Sequence, residues 1–64
     1  MKHIILRNTA NGITASIFRN GKPDPETLRL FGTHTLPTAW TGGTADEVVR
    51  KIEALNPGAY VEFI

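Results

Sequence analysis

The chain predicts an α+β fold in which a β-hairpin and further strands form one sheet against a single C-terminal amphipathic helix. The element order is ββ-(short helix)-β-α-β. Three observations carry this expectation. Residues 2 to 19 are two β-rich runs parted by Asn11-Gly12, residues 44 to 55 carry an apolar stripe at helical spacing, and residues 59 to 64 alternate again.

In the first run, Lys2 to Asn8, and the second, Ile13 to Arg19, β-branched and aliphatic residues dominate. Asn-Gly is the dipeptide favoured where both central residues of a tight turn need positive φ. With Asn11-Gly12 as that turn, Ala10 lies opposite Ile13 and Leu6 opposite Ile17. Ile4, Leu6, Ile13, Ala15 and Ile17 then share one face, and His3, Ile5, Arg7, Thr14, Ser16 and Phe18 share the other. A loop that shifts the pairing by two residues leaves both faces unchanged.

Asn20-Gly21-Lys22-Pro23 reads as turn material. Asp24 is placed as a helix N-cap, Pro25 at the first helical position and Gly32 just past the end, so a short helix over Pro25 to Phe31 is expected. The alternation of Leu28 and Leu30 about Arg29 is the competing strand signal. Thr33-His34-Thr35-Leu36 reads as strand, and Pro37 makes its end an edge, bulge or exit.

Thr44 and Glu47 form a T-x-x-E capping box, with Asp46 and Glu47 at the positive end of the helix dipole. Ala45, Val48, Val49, Ile52 and Leu55 make the apolar stripe, and Glu47, Arg50, Lys51 and Glu53 the polar side. Asn56-Pro57-Gly58 stops the helix. In the tail, Ala59, Val61 and Phe63 face one way and Tyr60, Glu62 and Ile64 the other.

Sixty-four residues leave room for one core, so residues 1–64 are read as a single small domain. Ile4, Leu6, Ile13, Ile17, Leu30, Leu36, Trp40, Val49, Ile52, Leu55, Val61 and Phe63 are its expected apolar members. The absence of cysteine removes disulfides, thiolate zinc sites and thiol catalysis, and favours a cytoplasmic setting. Three consecutive aliphatic residues, Ile4 to Leu6, are too few for a membrane span or a signal-peptide core, so no membrane partner is expected.

Net charge is +1 but unevenly spread. Residues 1 to 23 hold four cations (Lys2, Arg7, Arg19, Lys22) and no acidic residue, whereas residues 24 to 64 hold three cations against six acidic residues. Such asymmetry can steer an anionic partner towards the N-terminal half or let two copies attract head to tail.

Conventional catalytic constellations do not emerge. His3 and His34 stand without ligand spacing or an acidic neighbour in sequence, and read as strand or surface histidines. Trp40-Thr41-Gly42-Gly43-Thr44 precedes a helix start but lacks the lysine and glycine spacing of a phosphate-binding loop, so a spacer and cap explain it. No enzyme activity, cofactor or metal is expected.

The distinctive surface is the hairpin's second face. Phe18 lies there with His3, Ile5 and Arg7, and Arg19 follows it at the strand end. These five residues are the candidate partner-binding set, because aromatic and Arg side chains supply much of the energy of protein interfaces. The competing reading lets Phe31 or Trp40 fold over this face as a second small core. The function expected is a small non-enzymatic interaction module, an inhibitor or adaptor of the kind encoded by mobile elements, with a protein partner. The alternative is a nucleic-acid-binding module using Lys2, Arg7, Arg19, Lys22 and Phe18. An exposed edge at the last strand adds a homodimer as a further expectation.

Overall fold

The long hairpin expected from the first nineteen residues lies at the centre of the sheet. In the computed structural model, which describes residues 1–36 and 44–64, β1 (Lys2–Thr9) pairs antiparallel with β2 (Gly12–Arg19). The register places Leu6 opposite Ala15 and Ile4 opposite Ile17. Ala10 and Asn11 therefore form the turn, one residue earlier than the dipeptide signal suggests. The correction shifts the pairing by two, so each side chain keeps the face assigned to it.

Gly12 has φ 120° but Asn11 has no positive φ, and the pair of left-handed residues expected at Asn11-Gly12 appears instead at Asn20-Gly21. Asn20 has φ 54° and Gly21 has φ 80°, the pair of left-handed residues that matches the twist of a two-residue hairpin. This second turn folds β3 (Lys22–Pro23) back onto β2, with Arg19 opposite Lys22 and Phe18 opposite Pro23. The residues read as loop thus include a two-residue strand.

Asp24 starts α1 (Pro25–Phe31), and Gly32 ends it at φ 73° while donating its N–H to the Leu28 carbonyl. The helix signals prevail over the Leu28/Leu30 alternation because cap, first-turn proline and terminating glycine all agree. Strand β4 covers only Thr35–Leu36, shorter than the expected run from Thr33, and pairs with β2 on the same edge as β3. Ile17 bridges the gap between those two short strands: its N–H donates to the His34 carbonyl at 2.8 Å, and its carbonyl accepts from the Asp24 N–H at 3.0 Å.

Helix α2 (Ala45–Leu55) has Thr44 as N-cap, whose Oγ1 accepts from the Glu47 N–H at 3.3 Å. After Asn56, the chain turns through Gly58 at φ 85° into β5 (Tyr60–Phe63), which runs parallel to β1. Among the described residues the sheet is mixed and five-stranded, ordered β3-β2-β1-β5, with β4 also paired to β2.

The core lies between one face of this sheet and α2. Ile4, Leu6, Ile13, Ala15, Ile17 and Leu36 of the sheet pack with Val48 and Ile52 of the helix, and Val49, Ala59 and Val61 close the margins. Leu30 and Leu55, expected inside, are each 59% exposed, and Phe63 is 41% exposed. The α1 helix has only two turns, and Leu30, Phe31, Ile52 and Leu55 line a cleft of about 260 Å³. Phe31 thereby lies on the helix side of the sheet, not over the hairpin's second face. Trp40, Pro37 and the Gly42-Gly43 pair lie outside the described residues.

Candidate interaction face of the sheet

Strand alternation sends His3, Ile5, Arg7 and Thr9 of β1, and Thr14, Ser16 and Phe18 of β2, away from α2. The parallel strand β5 adds Tyr60 opposite His3 and Glu62 opposite Ile5. Neither described helix packs on this side.

The register sorts these side chains into rows across the strands. One row is aromatic: His34 beside Phe18, Phe18 opposite His3, and His3 opposite Tyr60. The ring centroids lie 5.3 Å apart for Phe18 and His34 and 5.0 Å apart for His3 and Tyr60, both pairs tilted. Tilted arrangements at this separation suit the ring quadrupoles. The next row is mostly polar. Thr35 and Ser16 share a hydroxyl hydrogen bond of 3.0 Å, Ile5 follows, and Glu62 ends the row. Glu62 Oε1 reaches back to His3 Nε2 at 3.0 Å, tying the two rows together.

Beyond them Arg7, opposite Thr14, is exposed. Ile5, Arg7, Thr9, Thr14, Ser16, Phe18 and Thr35 surround a shallow depression of about 210 Å³. Its lining combines an aliphatic and an aromatic side chain with four hydroxyls and one guanidinium. Such a surface offers apolar contact with a few oriented polar anchors and resembles an interface patch in composition.

The four cations of the N-terminal third do not gather here. Lys2 shares its side of β1 with Ile4, and its Nζ donates to Asn56 Oδ1 at 2.9 Å, across the end of α2. Arg19 shares its side of β2 with Ile17, and its Nε meets Asp24 Oδ1 at 3.0 Å. Lys22 is exposed on the edge strand β3. Of the five expected binding residues, His3, Ile5, Arg7 and Phe18 are brought together, and Arg19 is set apart. The signal for that separation is the alternation itself, since Arg19 has the parity of Ile17 and not of Phe18.

Asp24 is the electrostatic counterpart on the helix side. It is only 1% exposed, and its Oδ2 accepts from Thr27 Oγ1 at 2.7 Å and from the Thr27 N–H at 3.0 Å. The Thr27 hydroxyl, then Arg19, the Thr27 N–H and the charge of Lys2, lower its pKa from 3.8 to about 2 against the opposing effect of burial. Every oxygen of this carboxylate has a structural partner. It organises α1 and carries no free chemistry.

Sequence reasoning placed Phe18 and Arg7 on this face but not Tyr60, His34 or Glu62 beside them. No local pattern reports that β5 joins β1 in parallel register, because the pairing spans nearly the whole chain. Among the described residues no three His, Cys, Asp or Glu side chains converge on one point, and no helix is long and apolar enough to cross a membrane. The chain matches no family model, no curated protein and no solved structure.

Proposed function

We propose that this protein is a small non-enzymatic interaction module, an adaptor or inhibitor of a larger protein in the cytoplasm, which binds through the face of the sheet turned away from α2. The observation that carries the reading is the aromatic row His34, Phe18, His3 and Tyr60 set beside Arg7 on a side where no described helix packs. Aromatic and Arg side chains in one patch supply disproportionate binding energy, and strand backbones hold them in fixed positions before a partner arrives.

A row of rings on a sheet also suits stacking by single-stranded bases, which favours the nucleic-acid reading in part. Phosphate contacts need cations on the same side, however, and Lys2 and Arg19 are engaged on the other. Charge placement therefore supports a protein partner.

The two arginines provide the test. Arg7→Ala should weaken capture of the partner by roughly tenfold or more with the circular dichroism spectrum intact. Arg19→Ala should leave capture unchanged while lowering stability. Binding that falls steeply with salt, loses strength equally with Arg7→Ala, Arg19→Ala and Lys22→Ala, and recovers nucleic acid in the complex would move the function to the nucleic-acid reading.

A further inference from the structure

The two edges of the sheet are finished differently. On one side β2 is flanked by β3 and β4, each two residues long, and β3 contains Pro23. Short strands and a proline are devices that keep an edge from recruiting another strand. On the other side β5 runs for four residues, Tyr-Val-Glu-Phe, with no proline, lysine or glycine. The Ile64 N–H donates to the Leu6 carbonyl at 2.9 Å. By alternation the backbone groups of Glu62 also point to β1, and those of Val61 and Phe63 point outward. Among the described residues no strand pairs with that edge. Tyr60, Phe63 and Ile64 leave large apolar surface along the same rim.

We propose that β5 pairs antiparallel with β5 of a second copy, about a two-fold axis at Val61, so that one sheet runs through both molecules. This goes beyond the interaction module described above and does not depend on it. A two-fold axis perpendicular to the sheet keeps like faces together and must pass through a residue. At Glu62 it would set two carboxylates directly opposite each other, which is destabilising. At Phe63 it would put Glu62 against the partner's Ile64, a carboxylate against an aliphatic side chain. At Val61 the outward N–H and carbonyl groups of the two Val61 residues bond each other, and Tyr60 lies opposite the partner's Glu62. The charge and the aromatic hydroxyl then face each other, and Ala59 meets the partner's Phe63 on the helix side.

The geometry has a consequence for the open face. The aromatic row of one copy continues into the Glu62, Ile5, Ser16 and Thr35 row of the other, joining two binding faces into one. The overlap is short beside the roughly 1,600 Å² of a standard interface, so association is concentration-dependent.

Sedimentation of the full chain from micromolar to millimolar concentration should show the mass rising from 7.0 kDa towards twice that value. A mass fixed at 7.0 kDa throughout would overturn the proposal. Val61→Pro removes one outward donor without touching the β1 ladder and should weaken dimerisation by about tenfold or more with the fold retained. If that variant unfolds, Phe63→Lys places a charge on the same edge and should have the same effect. A folded edge variant that dimerises like the native chain would refute the edge. The register is read from single cysteines, which this cysteine-free chain allows cleanly. Oxidised Val61→Cys should trap a disulfide dimer, because paired strands bring Cα atoms to about 5.5 Å. Preferential trapping by Glu62→Cys would overturn the axis at Val61.

Discussion

Asp24 ties α1 to β2: its carboxylate caps α1 through Thr27 and holds Arg19 at the end of β2, and its backbone N–H donates to the Ile17 carbonyl. Asp24→Ala should cost about 2 kcal/mol in a urea melt, because a cap is lost and buried partners are left unsatisfied. Its pKa is lowered on folding, so it contributes stability that is present in full above pH 3.8 and lost as pH falls to about 2. The stability gap between the native chain and Asp24→Asn should therefore narrow across that window. A gap constant from neutral pH down to pH 2 would show that the carboxylate's charge is not its source. The cap is legible in the Asp-Pro-Glu signature, but the capture of Arg19 is not, because it requires β3 to fold back first. Ile17 and Phe18 test the two faces with adjacent residues. Ile17→Ala should cost about 2 to 5 kcal/mol, whereas Phe18→Ala should cost less than half as much. Equal costs in matched melts would mean that Phe18 belongs to a covered core.

At the level of elements, α2 is the part most fully written in sequence. Its cap follows from the T-x-x-E box, its stop from Asn56-Pro57-Gly58, and its buried pair Val48 and Ile52 from helical spacing. Thr44→Ala should cost roughly 1 kcal/mol by loss of the cap acceptor, and Ile52→Ala about 2 to 5 kcal/mol by opening a cavity beneath the sheet. A neutral Ile52→Ala would show that the helix packs by another face. The turns were harder to assign, because Asn-Gly occurs at both 11–12 and 20–21 and the dipeptide does not say which one closes with two left-handed residues. Gly21 stands at φ 80° with open space where a Cβ would be, so Gly21→Ala should cost about 1 kcal/mol from backbone strain alone. Asn11 has no positive φ. Asn11→Ala should be close to neutral, and the reverse order of costs would restore the turn that the dipeptide first suggests.

Across the whole molecule, the sheet separates two tasks. One face holds Ile4, Leu6, Ala15 and Ile17 beneath α2, and the other displays His3, Ile5, Arg7 and Phe18 with Tyr60 and Glu62. Period-two alternation made that division readable before any tertiary contact was known. What it could not give was the neighbour on each side: β5 beside β1 and the His34 segment beside β2 are long-range pairings that local patterns do not encode. Leu30 and Leu55 likewise have core-like chemistry, yet each is 59% exposed where it lines the cleft, a tertiary placement that local pattern does not report. On the proposed function, the face turned away from α2 serves recognition instead of stability. Quantitative capture from lysate by the native chain and by Phe18→Ala, each first shown to be folded, tests this most directly. A protein should be retained by the native chain and depleted about tenfold or more by Phe18→Ala, in keeping with the loss of a central aromatic anchor. Equal recovery of the same proteins by both chains would contradict it.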